Sequence, residues 1–477
     1  MKRTARLLFP ALRWDPVRGF DAEREHIELS LRLGVGGYSI FGGDADAVRA
    51  LTAELRERSP FPILIASDVE RGAGQQFRQC TPLPPLAAIG ALDDVAITRQ
   101  AGALTAREAL SVGVNWLYAP VADVDLEPRN PIVGSRAFGD DAAHVARHVV
   151  AWIQGARAEG ARCCAKHFPG HGRTVDDSHA ALPRVDASRD QLAVDLVPFR
   201  AAVEAGVDSL MTAHVVYDAY DPSTAATLSA PILGTLLRDQ LAFTGLVVSD
   251  ALIMEGMIRA GRGSEASASV AALDAGCDAL LYPGDLEGVV DALEAAVGGE
   301  LSSARVDEAI ARIDAAARRA TSHTDDPWGR EDDRRWADDI ALRTCTVVRG
   351  APAGGTTFDL LTIDDDVGGP FAPPARDVLA ASLRERGMSP REVATASATE
   401  PLVIAVYADI RAWKGMPGLT RRALDALDAA LAVQPDATIL FFGHPRLCDP
   451  VPGAHILAAW GGEAVMQRAA ARWLADR

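Results

Sequence analysis

The stretch "RCCAKHFPGHGRTVDDSHAALP", residues 162–183, begins as a short apolar run and finishes that run in Lys166 and His167. Pro169, Gly170 and Gly172 then release the chain into a polar loop that carries Asp177 and His179. A strand that ends in ionisable side chains and opens into such a loop is what a (β/α)8 barrel shows at its C-terminal face, where barrel chemistry collects. The same unit recurs along the chain. Apolar runs "RLLFP" (6–10), "GYSIF" (37–41), "PILIASD" (62–68), "NWLYAPVADV" (115–124), "SLMTAH" (209–214), "GLVVSD" (245–250) and "ALLYP" (279–283) alternate with amphipathic stretches. Those stretches, such as 44–58, 140–160 and 188–206, repeat apolar residues at three- and four-residue intervals. Several close on glycines, Gly160, Gly206 and Gly276, as helix C-caps do. Eight strand–helix units in this span predict a (β/α)8 barrel over residues 1–320. An open doubly wound sheet is the alternative, and no GxGxxG follows the first strand to support a dinucleotide site.

A polar, charged stretch, "TSHTDDPWGREDDRR" (321–335), breaks the pattern and marks a linker over 321–340. Beyond it, strand candidates at 345–350, 358–364, 402–410, 437–445 and 455–460 alternate with helix candidates at 375–387, 419–433 and 462–476. They predict a smaller C-terminal α/β sandwich domain over 341–477.

Composition narrows the function. The 477 residues are 48% hydrophobic and 24% charged, which suits an ordinary globular core. A formal net charge of −17 argues against a nucleic-acid backbone as partner, because phosphate binding needs basic patches. The N-terminus starts basic but lacks the apolar run of a signal peptide, and no segment reaches the roughly 18 apolar residues that span a membrane. A cytoplasmic protein acting on a small molecule is expected, as a monomer or homodimer. Six scattered cysteines without a CxxC pair point to small core residues rather than a zinc site or a disulfide framework. Neither cofactor nor metal is expected.

The strand ends supply the candidate site. Asp68, Asp123, Lys166, His167, His214 and Asp250 each stand at or beside the end of an apolar run. Asp250, in "GLVVSDALIMEGM", is either a nucleophilic carboxylate at the barrel mouth or an N-cap of the next helix. His167 and His171 are four apart, but Pro169 and Gly170 between them oppose the helix that a metal pair at that spacing needs. A phosphate cradle would need a lysine after the glycine turn, and here Lys166 precedes it. Lys166 could form a Schiff base, as in aldolase-type barrels. In "DDSH", Asp177 and His179 could form a dyad in which the carboxylate sets the tautomer and the imidazole moves a proton. His171 is read as an anchor of this loop.

These residues together resemble glycoside hydrolase family 3, in its bacterial β-N-acetylglucosaminidase branch. "KHFPGHG" followed by "DSH" and "LP" is similar to that branch's signature loop. The segments at 119–141, 210–229, 245–257 and 272–285 are similar to further family segments, so the likeness runs over roughly residues 60–290. It implies a barrel and a two-step retaining mechanism. Asp250 matches the nucleophile, and His179 with its partner Asp177 matches the acid/base. Asp68, Arg136, Lys166, His167 and His214 match groups that hold the sugar. The substrate implied is a small carbohydrate bearing terminal β-linked N-acetylglucosamine, including cell-wall fragments. Two departures stand out: "DVERGAGQQFR" (68–78) replaces a motif that carries a sugar-binding arginine, and Arg173 replaces a common aspartate. The alternatives are a phosphorylase, a β-glucosidase on the same fold, and an inactive sugar-binding barrel.

Overall fold

The computed structural model describes residues 2–176, 178, 182–254, 257–258, 263–320, 327–352, 355–367, 373–410 and 414–477. It divides into two compact units: Met1–Thr81, Val95–Leu126 and Asp140–Arg330 form one, and Pro82–Asp94, Glu127–Gly139 and Glu331–Arg477 the other. Two short excursions of the N-terminal chain therefore belong with the C-terminal unit, which a division at one linker does not foresee. The polar stretch read as a linker to residue 340 is helical from Glu331 to Thr344, with Ala337, Ile340 and Ala341 buried. Its apolar residues recur at three- and four-residue spacing beneath the charges, which is why composition alone reads it as loop. Residues 321–326 of that stretch lie outside the described ones.

The first unit is a parallel barrel. Its strands are β1 (Leu8–Phe9), β2 (Ala11–Arg13), β3 (Gly37–Phe41), β4 (Leu64–Ser67), β5 (Trp116–Leu117), β6 (Arg162–Phe168), β8 (Ser209–Thr212), β11 (Leu246–Ala251) and β12 (Ala279–Leu281). The order β1-β12-β11-β8-β6-β5-β4-β3-β2 runs through sequential neighbours. β1 pairs with β12 and β2 with β3, and only Pro10 separates β1 from β2. One N-terminal segment thus meets both ends of the sheet, and the nine short strands make eight staves. They are the eight apolar runs of the sequence. A small separate sheet holds β7 (Arg184–Val185), β9 (Val216–Tyr217) and β10 (Asp221–Ala225), the last a polar, largely exposed "DPSTA" without an apolar run.

Capping chemistry sets the surrounding helices. Asp141 accepts from the His144 N–H at the start of Ala142–Ala158. Ser188 and Gln191 form a reciprocal capping box at the start of Arg189–Glu204. The N-terminal ends of the strands are held by buried side chains that do no chemistry. Asn115 Oδ1 accepts from the Ile65 N–H, and Asp208 takes Arg162 and the Cys163 N–H. Asp278, fully buried, accepts from Arg238, Arg305 and Arg312 at 2.7–3.0 Å and from the Val247 N–H. Cys80, Cys163, Cys164, Cys277 and Cys448 are buried, and no cysteine among the described residues is in a disulfide. No described helix is long and apolar enough to cross a membrane.

The second unit is a six-stranded sheet of β13 (Thr346–Arg349), β14 (Thr357–Asp364), β15 (Ser389–Val393), β16 (Leu402–Tyr407), β17 (Thr438–Phe442) and β18 (His455–Ala458), in the order β13-β18-β17-β16-β14-β15. All pairs are parallel except β13 with β18. Leu427 and Ala423 of helix Arg421–Val433 belong to the core that Ile404, Val406, Ile439 and Phe441 form on one face. β15 is the one strand the sequence does not announce: "SPREV" has a proline and two charges, which only an edge position tolerates.

Because Asp278 is the buried anionic partner shared by three partly buried guanidinium groups, Asp278→Ala is expected to cost about 3–5 kcal/mol of stability in chemical denaturation. It lies at the N-terminal end of its strand, so kcat per folded molecule should stay within about twofold.

Candidate active site

The parallel register carries the polar strand ends to one mouth. Lys166 of β6 is in register with Met211 of β8, and Met211 with Val248 of β11, two residues before Asp250. Asp68 follows β4 directly. The Lys166 ammonium is 2% exposed, 2.5 Å from Asp68 Oδ1 and 2.7 Å from Glu70 Oε1. Two carboxylates around one ammonium favour its cationic form, which opposes the neutral amine that a Schiff base requires. Tyr282 Oη lies 3.5 Å from Asp68 Oδ2. Burial, then the charges of Asp68 and Asp250 among others, push the Tyr282 hydroxyl well above its usual range, so it remains a protonated donor.

Asp123 is the hub on the other side. It is fully buried, and its Oδ2 is 2.7 Å from His167 Nδ1. Its Oδ1 accepts from the backbone N–H of His167 at 3.2 Å and of His171 at 2.7 Å. Burial alone would raise this carboxyl. The attraction and hydrogen bonds of His167 and His171 outweigh it and hold the group below the usual range. Asp123 thereby fixes the His167 Nδ1–H tautomer and leaves Nε2 as the acceptor.

His171 is buried, and burial followed by repulsion from His167 lowers it to about 4, so it is neutral near pH 7. Its Nδ1 meets Thr174 Oγ1 at 2.8 Å and its Nε2 meets Ser178 Oγ at 3.1 Å. The middle histidine is a loop anchor, as read from the sequence. Gly172 is required beside it, since a Cβ there would stand 1.6 Å from the Val124 carbonyl oxygen. Arg173 pairs with Asp195 at 2.7 Å and donates to the Gln191 carbonyl, tying the base of the loop to helix Arg189–Glu204. Asp177 and His179, the proposed dyad, lie outside the described residues.

Asp250 stands near the end of β11 and accepts from the Ala251 N–H at 2.7 Å. Through the parallel register of β6, β8 and β11 it lies at the same end of the sheet as Lys166. His214 lies below it. The Nε2–H of His214 donates to the Ala251 carbonyl at 3.1 Å, and its Nδ1 accepts from the Thr227 hydroxyl at 2.7 Å. One ring nitrogen thus meets the strand end that presents Asp250, and the other meets Thr227 in the turn Ala226–Leu228.

The departing segment 68–78 is also accounted for locally. Gln76 donates to the Asp68 carbonyl, Gln75 accepts from the Arg71 N–H, and Arg78 pairs with Asp44. Arg136 belongs to the second unit, in the turn Gly134–Arg136, where its guanidinium donates to the Ile132 carbonyl at 3.2 Å. Glu70 and Tyr282 are additions that the strand-end reading passes over. Glu70 is two residues beyond Asp68, and Tyr282 closes the eighth apolar run, so both carried the same positional signal.

Comparison with known proteins gives this geometry its context. Residues 28–316 match the model of the glycosyl hydrolase family 3 N terminal domain. A beta-hexosaminidase of Vibrio cholerae is 37% identical over 287 residues, covering 59% of this chain and 85% of that one. A beta-N-acetylglucosaminidase/beta-glucosidase of Cellulomonas fimi is 35% identical over 305 residues, covering 60% of this chain and 52% of that one. Among solved structures, a family 3 beta-N-acetylglucosaminidase from Paenibacillus superposes with a TM-score of 0.85 at 26% identity, covering 100% of this chain and 96% of that one. With a family domain matched across more than half its length, and with carboxylates, a lysine and histidines gathered at the mouth of its barrel, the chain belongs to glycosyl hydrolase family 3 and is a glycoside hydrolase.

Proposed function

We propose that this glycoside hydrolase is a retaining, exo-acting β-N-acetylglucosaminidase, with Asp250 as nucleophile and His179, paired with Asp177, as general acid/base. The observation that carries the reading is the presentation of Asp250 near the end of β11, next to Ala251, whose carbonyl His214 meets, and at the same end of the parallel sheet as the Lys166–Asp68–Glu70 cluster. In the first step Asp250 attacks the anomeric carbon while cationic His179 gives its proton to the leaving oxygen. In the second, neutral His179 takes a proton from water, and the water oxygen displaces Asp250. Asp68, Lys166, His167 and Arg136 hold the sugar hydroxyls. His167 suits that task, because the Asp123 carboxylate on its Nδ1 holds the ring in one orientation. The relatives named for N-acetylglucosamine and hexosamine hydrolysis support the sugar.

Aryl glycosides test the roles. Asp250→Ala should remove turnover of an aryl N-acetyl-β-glucosaminide, and a 2-fluoro sugar should label Asp250 in the wild type. His179→Ala should slow substrates with poor leaving groups by about 10²–10⁴-fold and activated ones much less. Unchanged activity in either variant rejects the assignment, and sugar 1-phosphate appearing when phosphate is added redirects it to a phosphorylase.

The loop anchor has a pH signature of its own. His171 sits at about 4 in the folded protein against about 6.5 in the unfolded chain. The unfolded state binds the extra proton between those values, so this stability is complete above pH 6.5 and is lost as pH falls toward 4. A shift of that size is worth roughly 3 kcal/mol. Unfolding free energies of wild type and His171→Asn should therefore converge as pH falls from 7 to 4; parallel profiles would show that His171 is not buried neutral.

A further inference from the structure

The second unit shows a built connection to the turn that carries Arg136. At the carboxyl ends of its parallel strands, Asp364, Asp365 and Asp366 close β14, and Asp409 follows β16. β14 and β16 pair through Asp364↔Tyr407, so these carboxylates stand side by side. Arg376 lies over the Tyr407 ring at 4.0 Å and reaches Asp364 at 2.9 Å and Asp366 at 2.5 Å. Asp366 Oδ1 accepts from the Asp409 backbone N–H at 2.6 Å. Asp409 Oδ1 accepts from the Ile410 N–H and, at 3.1 Å, from the hydroxyl of Ser135. Ser135 is fully buried and is the residue before Arg136.

The turn around Ser135 is shaped for this contact. Asn130 Oδ1 accepts from the N–H groups of Ile132 and Val133, which folds the approach. Gly134 has φ +21°, and a Cβ there would lie 1.8 Å from Ile410 Cδ1. Ile132, Val133 and Ala137 form a small apolar cluster of their own. Residues on both sides of Arg136 are thus fixed by backbone, apolar and hydrogen-bond contacts, while its own guanidinium remains partly exposed. A chain of polar groups runs from Arg376 through Asp366 and Asp409 to Ser135. Burial and the neighbouring charge of Asp409 raise Asp366, and Arg376 offsets them.

We infer that Asp409, acting through Ser135, is a positioning residue that sets the Arg136 guanidinium for sugar binding. The inference rests on the reading of Arg136 as a sugar-holding residue.

Kinetics on an aryl N-acetyl-β-glucosaminide, with thermal unfolding as a folding control, test it in the full-length protein. Misplacing one binding group costs about tenfold or more, so Asp409→Ala should raise KM about tenfold and change kcat by no more than about twofold. Asp409→Asn keeps the acceptor for Ser135 and should restore KM. Ser135→Ala removes the same bond without touching Asp366 and should reproduce the effect, which keeps the test open if Asp409→Ala folds poorly. In an Arg136→Ala background, Asp409→Ala should add nothing. If Arg136→Ala raises KM but Asp409→Ala and Ser135→Ala do not, or if the effects multiply independently, the positioning role is overturned while the reading of Arg136 stands. If Arg136→Ala leaves KM unchanged, that reading fails and takes the positioning role with it.

Discussion

A carboxylate buried in the barrel, Asp123, organises the mouth. Among the described residues no lysine or arginine pairs with it, and two histidines supply its donors: one ring N–H and two backbone N–H groups. A buried carboxylate must be satisfied in this way or it would protonate. Satisfying it fixes the His167 ring, the chain direction at His171 and so the start of the loop after β6. The His171 ring then ties Thr174 and Ser178. Geometry passes from a barrel strand to a loop without any contact to a ligand.

The lysine cluster is the complementary device. One ammonium at the end of β6 holds two carboxylates of the segment that follows β4, across the intervening β5. Their acceptor oxygens suit sugar hydroxyls. Asp250 is not a member of this ion-pair cluster, and its carboxylate accepts from the Ala251 N–H at 2.7 Å.

The fold was legible because parallel barrel strands are buried on both faces. Each stave reads as a short apolar run, and several of the runs end in, or one residue after, a polar residue: Asp68, Asp123, His167, His214 and Asp250. β15 escaped because an edge strand needs no such run, and the helix Glu331–Thr344 escaped because its charges mask its apolar spacing. Of the candidate site, Asp68, Lys166, His167, His214 and Asp250 fall at strand ends of one barrel. His214 is occupied on both ring nitrogens by the protein, which no spacing argument could foresee. Arg136 falls in the other compact unit, because a short excursion of chain packs by contacts that are distant in sequence.

By itself the sequence determined which residues could do chemistry and in what order they come: local pattern fixes strands, caps and glycine hinges through near-neighbour sterics and burial. Only the tertiary structure decided which of them meet. Lys166 finds Asp68 and Glu70 nearly a hundred residues away. Arg173 finds Asp195, and Ser135 finds Asp409 across 274 residues. Such partnerships depend on closure of the sheets and on burial that makes each charge seek a counter-charge, and neither is written in local pattern.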